Sequence, residues 1–179
     1  MELGVPKGKL YMVEYDPAWA EEDRRVVELL RGVMTDAVDI IHGGSTSIPG
    51  MFSKPIIDIY IAVNELDDVL QYVDALEALG IHYAGEVVPE NRDFYMDDPV
   101  TGYRTHHIHA LRYESPRWAR YQRIFSYLRA EPRVRDAYTL LKRSFLLMYE
   151  DHPEKYGPAK RVFMDDLEEA AEEWTKQQG

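Results

Sequence analysis

Alternating apolar and polar residues mark the strands of a central sheet. The clearest strand is PIIDIYIAV (55–63), and AVDIIHGG (37–44) precedes it as a strand that ends in a glycine turn. IHYAGEVV (81–88) is also strand-like. RDFYM (92–96) and THHIHALRY (105–113) flank a turn-rich segment, which predicts an antiparallel hairpin. The predicted sheet is therefore mixed.

Helical periodicity occupies the rest of the chain. Asp16 and Pro17 are typical of a helix start, and apolar residues then recur at helical spacing to about Met34. Residues 65–80 predict a second helix, with Gly80 as its C-terminal glycine. From Ser115 onward two helices are predicted on either side of Pro132, and a last helix follows EDHPEKYGP. These elements predict one α+β domain over 1–179, with a sheet core at about 11–113 and a helical tail at about 115–175.

Composition narrows the class of protein. The 179 residues are 45% hydrophobic and include no cysteine, which excludes disulfides and thiolate chemistry. No apolar run approaches the roughly 18 residues of a membrane span, and no export signal is recognisable at the N-terminus. We therefore expect a soluble cytoplasmic protein with no membrane partner. A net charge of −11 argues against sequence-independent nucleic-acid binding.

The charge is distributed unevenly. Residues 101–143 contain ten basic residues and three acidic ones, in a chain that is acidic elsewhere. Solvated arginine faces on a pair of helices explain this pattern in the simplest way. The alternative is a positive wall that faces an anionic small molecule.

Candidate chemistry begins with Asp58, which lies in the middle of the clearest strand. Ile57, Ile59 and Ile61 share the opposite face of that strand and are predicted core residues. A carboxylate in such a position needs an ion pair, hydrogen bonds or a metal. An arginine partner is one explanation. Two imidazoles, His107 and His109, share a face of a later strand and favour zinc, manganese, iron or nickel if they meet Asp58. The alternative is that one or both histidines donate a hydrogen bond to a carboxylate or a backbone carbonyl.

The loop HGGSTSIPG (42–50) has the residues of an anion cradle. Glycines allow close approach of a ligand, and the hydroxyls of Ser45, Thr46 and Ser47 add hydrogen-bond donors. It is not a P-loop, because no GK[ST] sequence follows. Lys54 lies at the start of the next strand, where it could meet a phosphate. A tight turn without any ligand is the alternative interpretation.

Several longer segments resemble the GrpB family, which is placed in the nucleotidyltransferase superfamily. They are HGGSTSIPGMFSKPIIDI, RDFYM, RTHHIHAL, ESPRWARYQRIFSYLRAEPRVRDAYTLLKR and YGPAKRVF, and they cover roughly 15–167. The resemblance implies a polymerase-beta-like fold, with a mixed sheet, helices mainly on one face and a C-terminal helical segment. In that superfamily a glycine-serine turn holds the triphosphate, and carboxylates bind two divalent metals.

Carried onto this sequence, the resemblance matches Gly44 and Ser45 to the turn and Asp58 to the first acid. The usual second acid is replaced by Tyr60, and His107 and His109 stand where the third acid is expected. A standard two-magnesium site is therefore in doubt.

Three functions remain open. The first is transfer of a nucleotidyl group from a nucleoside triphosphate, with Asp58, His107 and His109 on one divalent metal (magnesium, manganese or zinc). In this hypothesis the phosphates are contacted by Gly44, Ser45, Thr46, Ser47, Lys54, Arg92 and Arg104. The second is a non-catalytic module for a nucleotide, a coenzyme A precursor or another phosphorylated metabolite. The third is a serine hydrolase with Ser45 or Ser47 and His107. Lys142 and Lys160 either reach the same pocket or are ordinary surface lysines.

Overall fold

The computed structural model describes residues 1–178, which form a five-stranded sheet with helices. The strands are β1 (Asp39–Gly43), β2 (Ile57–Val63), β3 (His82–Gly85), β4 (Asn91–Asp97) and β5 (Arg104–Arg112). The α-helices are α1 (Trp19–Val33), α2 (Val73–Glu77), α3 (Pro116–Ala130), α4 (Pro132–Tyr149) and α5 (Pro153–Gln178). Short 3-10 helices cover Ser45–Ser47 and Leu66–Tyr72. None of these helices combines the length and the apolar composition that a membrane crossing requires.

The sheet is mixed, as predicted. Its strand order is β1-β2-β5-β4-β3. Only the central pair, β2 and β5, runs parallel, and the other neighbours are antiparallel. The predicted hairpin is confirmed as β4 and β5. Asp58 thereby lies opposite Gly43 on one side and His107 on the other.

One face of the sheet carries the main core. Ile57, Ile59 and Ile61 are fully buried there against α1 and the segment that contains α2. Helix α1 contributes Val26 and Leu30, which lie one turn apart on its apolar side. The strand alternation predicted from the sequence is confirmed for this face.

The opposite face of β2 is covered in part by the C-terminal helices. Tyr60 and Ala62 pack there in a second cluster with residues of α3, α4 and α5, including Trp118, Phe125 and Tyr138. The predicted helical tail is therefore the roof over the face that carries Asp58. A cleft lies between these helices and the face of the sheet that carries Asp58.

Three helix boundaries differ from the prediction. Helix α1 begins at Trp19, and Asp16 caps the preceding turn by accepting the N–H of Ala18 at 2.9 Å. The predicted second helix is a 3-10 helix followed by a short α-helix, although Gly80 ends it with a φ of 77° as expected. Helix α5 already begins at Pro153 and keeps Pro158 inside it. Pro158 has no N–H to donate to the carbonyl of Glu154, so α5 continues past it with one hydrogen bond fewer.

Gly43 lies where helix α3 packs closely on the sheet. A Cβ atom at Gly43 would lie 2.3 Å from the ring of Tyr60 and 2.6 Å from that of Phe125. We expect Gly43→Ala to lower the free energy of unfolding by about 1–3 kcal/mol, because both rings must move. Urea denaturation measures the change.

Gly32→Ala is the matched control for this prediction. Gly32 lies in α1 with nothing within 4 Å of a Cβ atom, so alanine should leave stability unchanged or raise it by up to about 1 kcal/mol. Equal stability of the Gly43→Ala variant and the wild type would contradict the tight packing described for α3.

Candidate functional site

The loop after β1 approaches Asp58 closely. Gly44 has a φ of 62°, in the left-handed region, and a Cβ atom built there would lie 2.0 Å from Oδ2 of Asp58. Only glycine satisfies both conditions without strain. The glycine of the predicted cradle is thus required by its conformation and by the carboxylate beside it.

The three hydroxyls of the loop have different partners. Thr46 donates to the carbonyl of Ile56 and contacts Nε2 of His42 at 3.0 Å. Ser47 donates to the carbonyl of Gly44 at 2.8 Å and accepts from Arg129 of α3 at 2.9 Å. The Thr46 and Ser47 side chains therefore hold the loop in place. Ser45 faces the cleft.

Lys142 of α4 is the hydrogen-bond donor to Ser45. Its side chain is only 2% exposed, and its ammonium donates to Oγ of Ser45 and, at 3.1 Å, to the carbonyl of Phe52. The ammonium also lies 4.3 Å from the ring centroid of Tyr138. Burial and the nearby charge of Lys160 lower the pKa of Lys142 well below its usual value. The sequence left Lys142 either in the pocket or on the surface, and the structure buries it at the wall of the pocket.

Two further lysines surround the same point. A small cavity of about 150 Å³ is lined by Ser45, Ser53, Lys54, Ile56, Asp58, His107, Lys142, Tyr156 and Lys160. Lys54 stacks over Tyr156 with its ammonium 4.6 Å from the ring centroid, and burial lowers the pKa of Lys54. Three lysines and one aspartate thus share a small space. Such a set of donors suits an anion.

Among the residues that the structure describes, Asp58 pairs with a histidine and with no arginine. Its Oδ1 lies 3.3 Å from Nδ1 of His107, and its side chain remains 26% exposed. Burial by itself would raise the pKa of Asp58. The hydrogen bond to His107 and attraction to the imidazoles and Lys160 outweigh burial and lower the pKa to about 2. Asp58 is therefore ionised at neutral pH.

His109 is paired with a carboxylate that the sequence reasoning missed. Its Nδ1 lies 2.6 Å from Oδ1 of Asp93, which sits opposite His109 in the β4–β5 register. The backbone N–H groups of Val87 and Val88 also donate to Asp93. Burial opposes ionisation, but these hydrogen bonds and His109 lower the pKa of Asp93. Alternation within RDFYM could have placed Asp93 on the His109 face.

The residues present do not fit a two-metal centre. Tyr60, which replaces the second acid, is buried and packs its ring 4.6 Å from that of Tyr121. Within residues 1–178, no group of three or more histidine, aspartate and glutamate side chains is gathered to hold a metal ion. Asp58 pairs with His107, while His109 pairs with Asp93. A single metal ion on Asp58, His107 and His109 stays a prediction.

Arg92 and Arg104 lie outside this site, which corrects their predicted role. Arg92 binds Asp67 at 2.6 Å and Glu86 at 3.3 Å. Arg104 binds Asp97 at 2.6 Å. Each guanidinium is held by local carboxylates, so neither is available to the lysine cluster.

A larger cavity adjoins the small one through Ser45, Asp58 and Lys160. Its volume is about 490 Å³, and the C-terminal helices provide most of its wall. Arg117 and Arg120 of the basic middle segment line it, whereas Arg143 pairs with Glu14 on the surface. The basic segment thus contributes arginines both to the cavity wall and to the surface, and an anionic ligand that faces the cavity arginines stays a prediction.

The serine hydrolase hypothesis has no support in the contacts. Oγ of Ser45 accepts from Lys142, and Ser47 is engaged by Gly44 and Arg129. His107 has Asp58 as its hydrogen-bond partner, and neither serine is bonded to it.

Known proteins resemble this chain over most of its length. The family model described as GrpB protein matches residues 9–170. UPF0157 protein YqkA of Bacillus subtilis is 32% identical over 96% of this chain, which spans 50% of that protein. Glutamate-rich protein GrpB of Alkalihalophilus pseudofirmus is 29% identical over 92% of this chain and 97% of its own length.

Solved structures agree with these matches. The crystal structure of conserved protein GrpB from Enterococcus faecalis has a TM-score of 0.82 at 29% identity, and covers 90% of this chain and 96% of that one. The Cid1 poly (U) polymerase has a TM-score of 0.53 at 16% identity, over 72% of this chain and 43% of its own. At that identity the likeness establishes a nucleotidyltransferase-like fold and nothing further. This chain belongs to the GrpB family.

Proposed function

We propose that the protein binds a phosphorylated small molecule of the nucleotide class in the two adjoining cavities. The observation that carries the proposal is Lys142, a buried lysine bonded to Ser45 at the wall of the small cavity. Within residues 1–178 no carboxylate lies within 4.0 Å of its ammonium. Burial disfavours the charged form of Lys142, and a phosphate beside it would stabilise that form.

The surrounding charges support the same ligand. Lys54, Lys142 and Lys160 line the small cavity, and Asp58 is the carboxylate that faces them. A phosphate there would accept hydrogen bonds from ammonium groups and from Ser45.

The larger cavity favours a nucleotide or a molecule of similar size. Its volume of about 490 Å³ lies within the usual range of small-molecule pockets. The rings of Tyr60, Tyr121 and Phe125 line it and lie 4.6–6.0 Å apart between centroids. A planar base can pack on such rings. A coenzyme A precursor or another phosphorylated metabolite meets the same requirements.

Nucleotidyl transfer is the second candidate. The ionised Asp58 favours it, because this carboxylate stands beside the glycine-serine turn at the position of the superfamily's first acid. The buried Tyr60 favours binding without transfer, since it removes the second acid. The donor of such a transfer would be a nucleoside triphosphate, and the acceptor is open.

The Asp58→Asn variant shows whether phosphate compounds bind with or without the help of a metal ion. We expect pyrophosphate and nucleoside triphosphates to raise the melting temperature of the wild type. A ligand at 100 times its dissociation constant adds about 2.7 kcal/mol to the free energy of unfolding. In the absence of metal, Asp58→Asn should bind them up to about tenfold more tightly, because a repelling carboxylate is removed. A thermal-shift titration measures both effects.

Variants of two lysines complete that titration. Lys142→Met should abolish binding, while Lys155→Met, at an exposed position of α5, should bind normally. If stabilisation instead requires magnesium, manganese or zinc and disappears in Asp58→Asn, metal-dependent transfer becomes the better hypothesis. Absence of any shift with these probes would contradict the proposed function.

The pH dependence of stability should report the burial of Lys142. Its pKa is well below 10.5 in the folded protein, so between that pKa and 10.5 the unfolded chain binds more protons. The free energy of unfolding should therefore rise with pH in this window, and Lys142→Met should flatten the rise. Urea denaturation at several pH values measures the slopes. Lys155→Met should keep the wild-type slope, and an unchanged slope in Lys142→Met would contradict the assignment.

Transfer itself can be tested by labelling. The protein is incubated with α-phosphate-labelled nucleoside triphosphates, a cell extract and magnesium, manganese or zinc. If it is a transferase, label should move to an acceptor with the wild type and fail to move with Asp58→Asn. Lack of Asp58-dependent label under every metal would exclude transfer and leave binding as the function.

A further inference from the structure

Helix α3 is unusually basic for a chain of net charge −11. Its 15 residues include four arginines and no carboxylate. Arg129 is used to hold the loop, through Ser47 and the carbonyl of His42. Arg117 and Arg120 instead line the larger cavity, together with Arg161 of α5.

These three cavity arginines differ in their partners. Arg120 is neutralised by Glu168 at 2.9 Å and Asp165 at 3.4 Å. Arg117 and Arg161 have no carboxylate within 4.0 Å in the described part of the chain. In a protein with 32 acidic residues and 21 basic ones, two cavity-lining arginines have thus been left without a counter-ion.

The larger cavity runs along α3 and has two ends, one at Arg117 and one at the glycine-serine loop with Ser45. The residues of α3 that line the cavity are spaced on one face of the helix: Arg117, Arg120, Tyr121, Ile124, Phe125 and Leu128. At 1.5 Å per residue, this face is about 16 Å long. Its C-terminal end lies at the glycine-serine loop, because the next residue, Arg129, is bonded to Ser47. Arg117 therefore stands at the far end. Helices α3 and α5 run side by side in the same direction, because Arg120 contacts Asp165 and Tyr127 contacts Trp174. Arg161 precedes Asp165 by one turn of α5 and so lies toward the same end as Arg117.

The wall between the two ends is mainly apolar. It is formed by Tyr60, Tyr121, Phe125, Ile124 and Met164. An uncharged middle between two cationic ends suits a molecule with an anionic group at each end and an apolar or planar part between them.

We propose that Arg117 and Arg161 form a second anion subsite, so that the ligand carries a carboxylate or a second phosphate remote from the phosphate at Ser45. The inference rests on the proposed function, because it takes the first phosphate to lie at Lys142. Guanidinium groups bind carboxylate and phosphate oxygens in pairs, which gives the subsite both charge and orientation.

The test uses simple bis-anions with the full chain. Isothermal titration calorimetry compares alkyl monophosphates with alkanediol bisphosphates and ω-carboxyalkyl phosphates of increasing chain length. We expect one range of lengths to bind about tenfold more tightly than the monophosphate of equal length, as one charge-assisted hydrogen bond would provide. The carboxylate and phosphate series identify which second group the subsite prefers.

Variants locate the gain. Arg117→Gln/Arg161→Gln should bind the monophosphate as the wild type does and lose the tenfold gain of the bis-anion. Arg133→Gln, at an exposed position of α4, should keep it. Thermal unfolding checks that each variant is folded, and the two single variants replace the double one if it is not.

The outcomes separate the two proposals. A monophosphate that binds without any gain for bis-anions would overturn the second subsite and leave the proposed function intact. A gain that survives in Arg117→Gln/Arg161→Gln would also overturn it, since the second group would bind elsewhere. If no phosphate compound binds, the proposed function fails and this inference fails with it.

Discussion

The buried ammonium group of Lys142 sets the conditions for the rest of the site. It joins α4 to the glycine-serine loop through Ser45 and to the chain before β2 through Phe52. A lysine in this position loses its hydration, and in the part of the chain that the structure describes no carboxylate lies at ion-pair distance from it. Its hydrogen bonds and the ring of Tyr138 offset only part of the cost. The folded protein therefore holds, at the wall of a cavity, a buried amine whose charged form is disfavoured by burial and would be favoured by a bound anion.

Strand β2 distributes its residues between two environments. Its odd-numbered positions are apolar and are buried against α1, which anchors the strand on the face opposite Asp58. Its even-numbered positions face the cleft, where Asp58 is only partly covered and Tyr60 packs under α3. The carboxylate is thus held by an interior strand of the sheet, and a loop would not fix its position as closely.

Tyr60 changes what this face can do. An acid at the same position would have placed a second negative charge beside Asp58, as two metal ions require. The tyrosine instead contributes a ring to an aromatic group with Tyr121 and Phe125. The second acidic side chain of this face, Asp93, is bonded to His109 and two backbone N–H groups. Both carboxylates of this face are therefore paired with histidines, and three lysines line the small cavity beside Asp58. The cleft suits an anion for this reason.

Local patterns in the sequence determined the strands, the faces and the loop. A period of two placed Asp58 opposite the core, grouped His107 with His109, and predicted a mixed sheet, because alternation is a property of each strand alone. Contacts between distant segments were decided by the tertiary structure. Lys142 and Ser45 are 97 residues apart, and no periodicity in α4 distinguishes a lysine that points into the cleft from one in solvent. The same reason explains the misassigned arginines, because sequence gives a guanidinium its charge, whereas register and helix docking decide its neighbours. Local carboxylates neutralise Arg92 and Arg104. Arg117 lines the larger cavity instead, with no carboxylate of residues 1–178 at ion-pair distance.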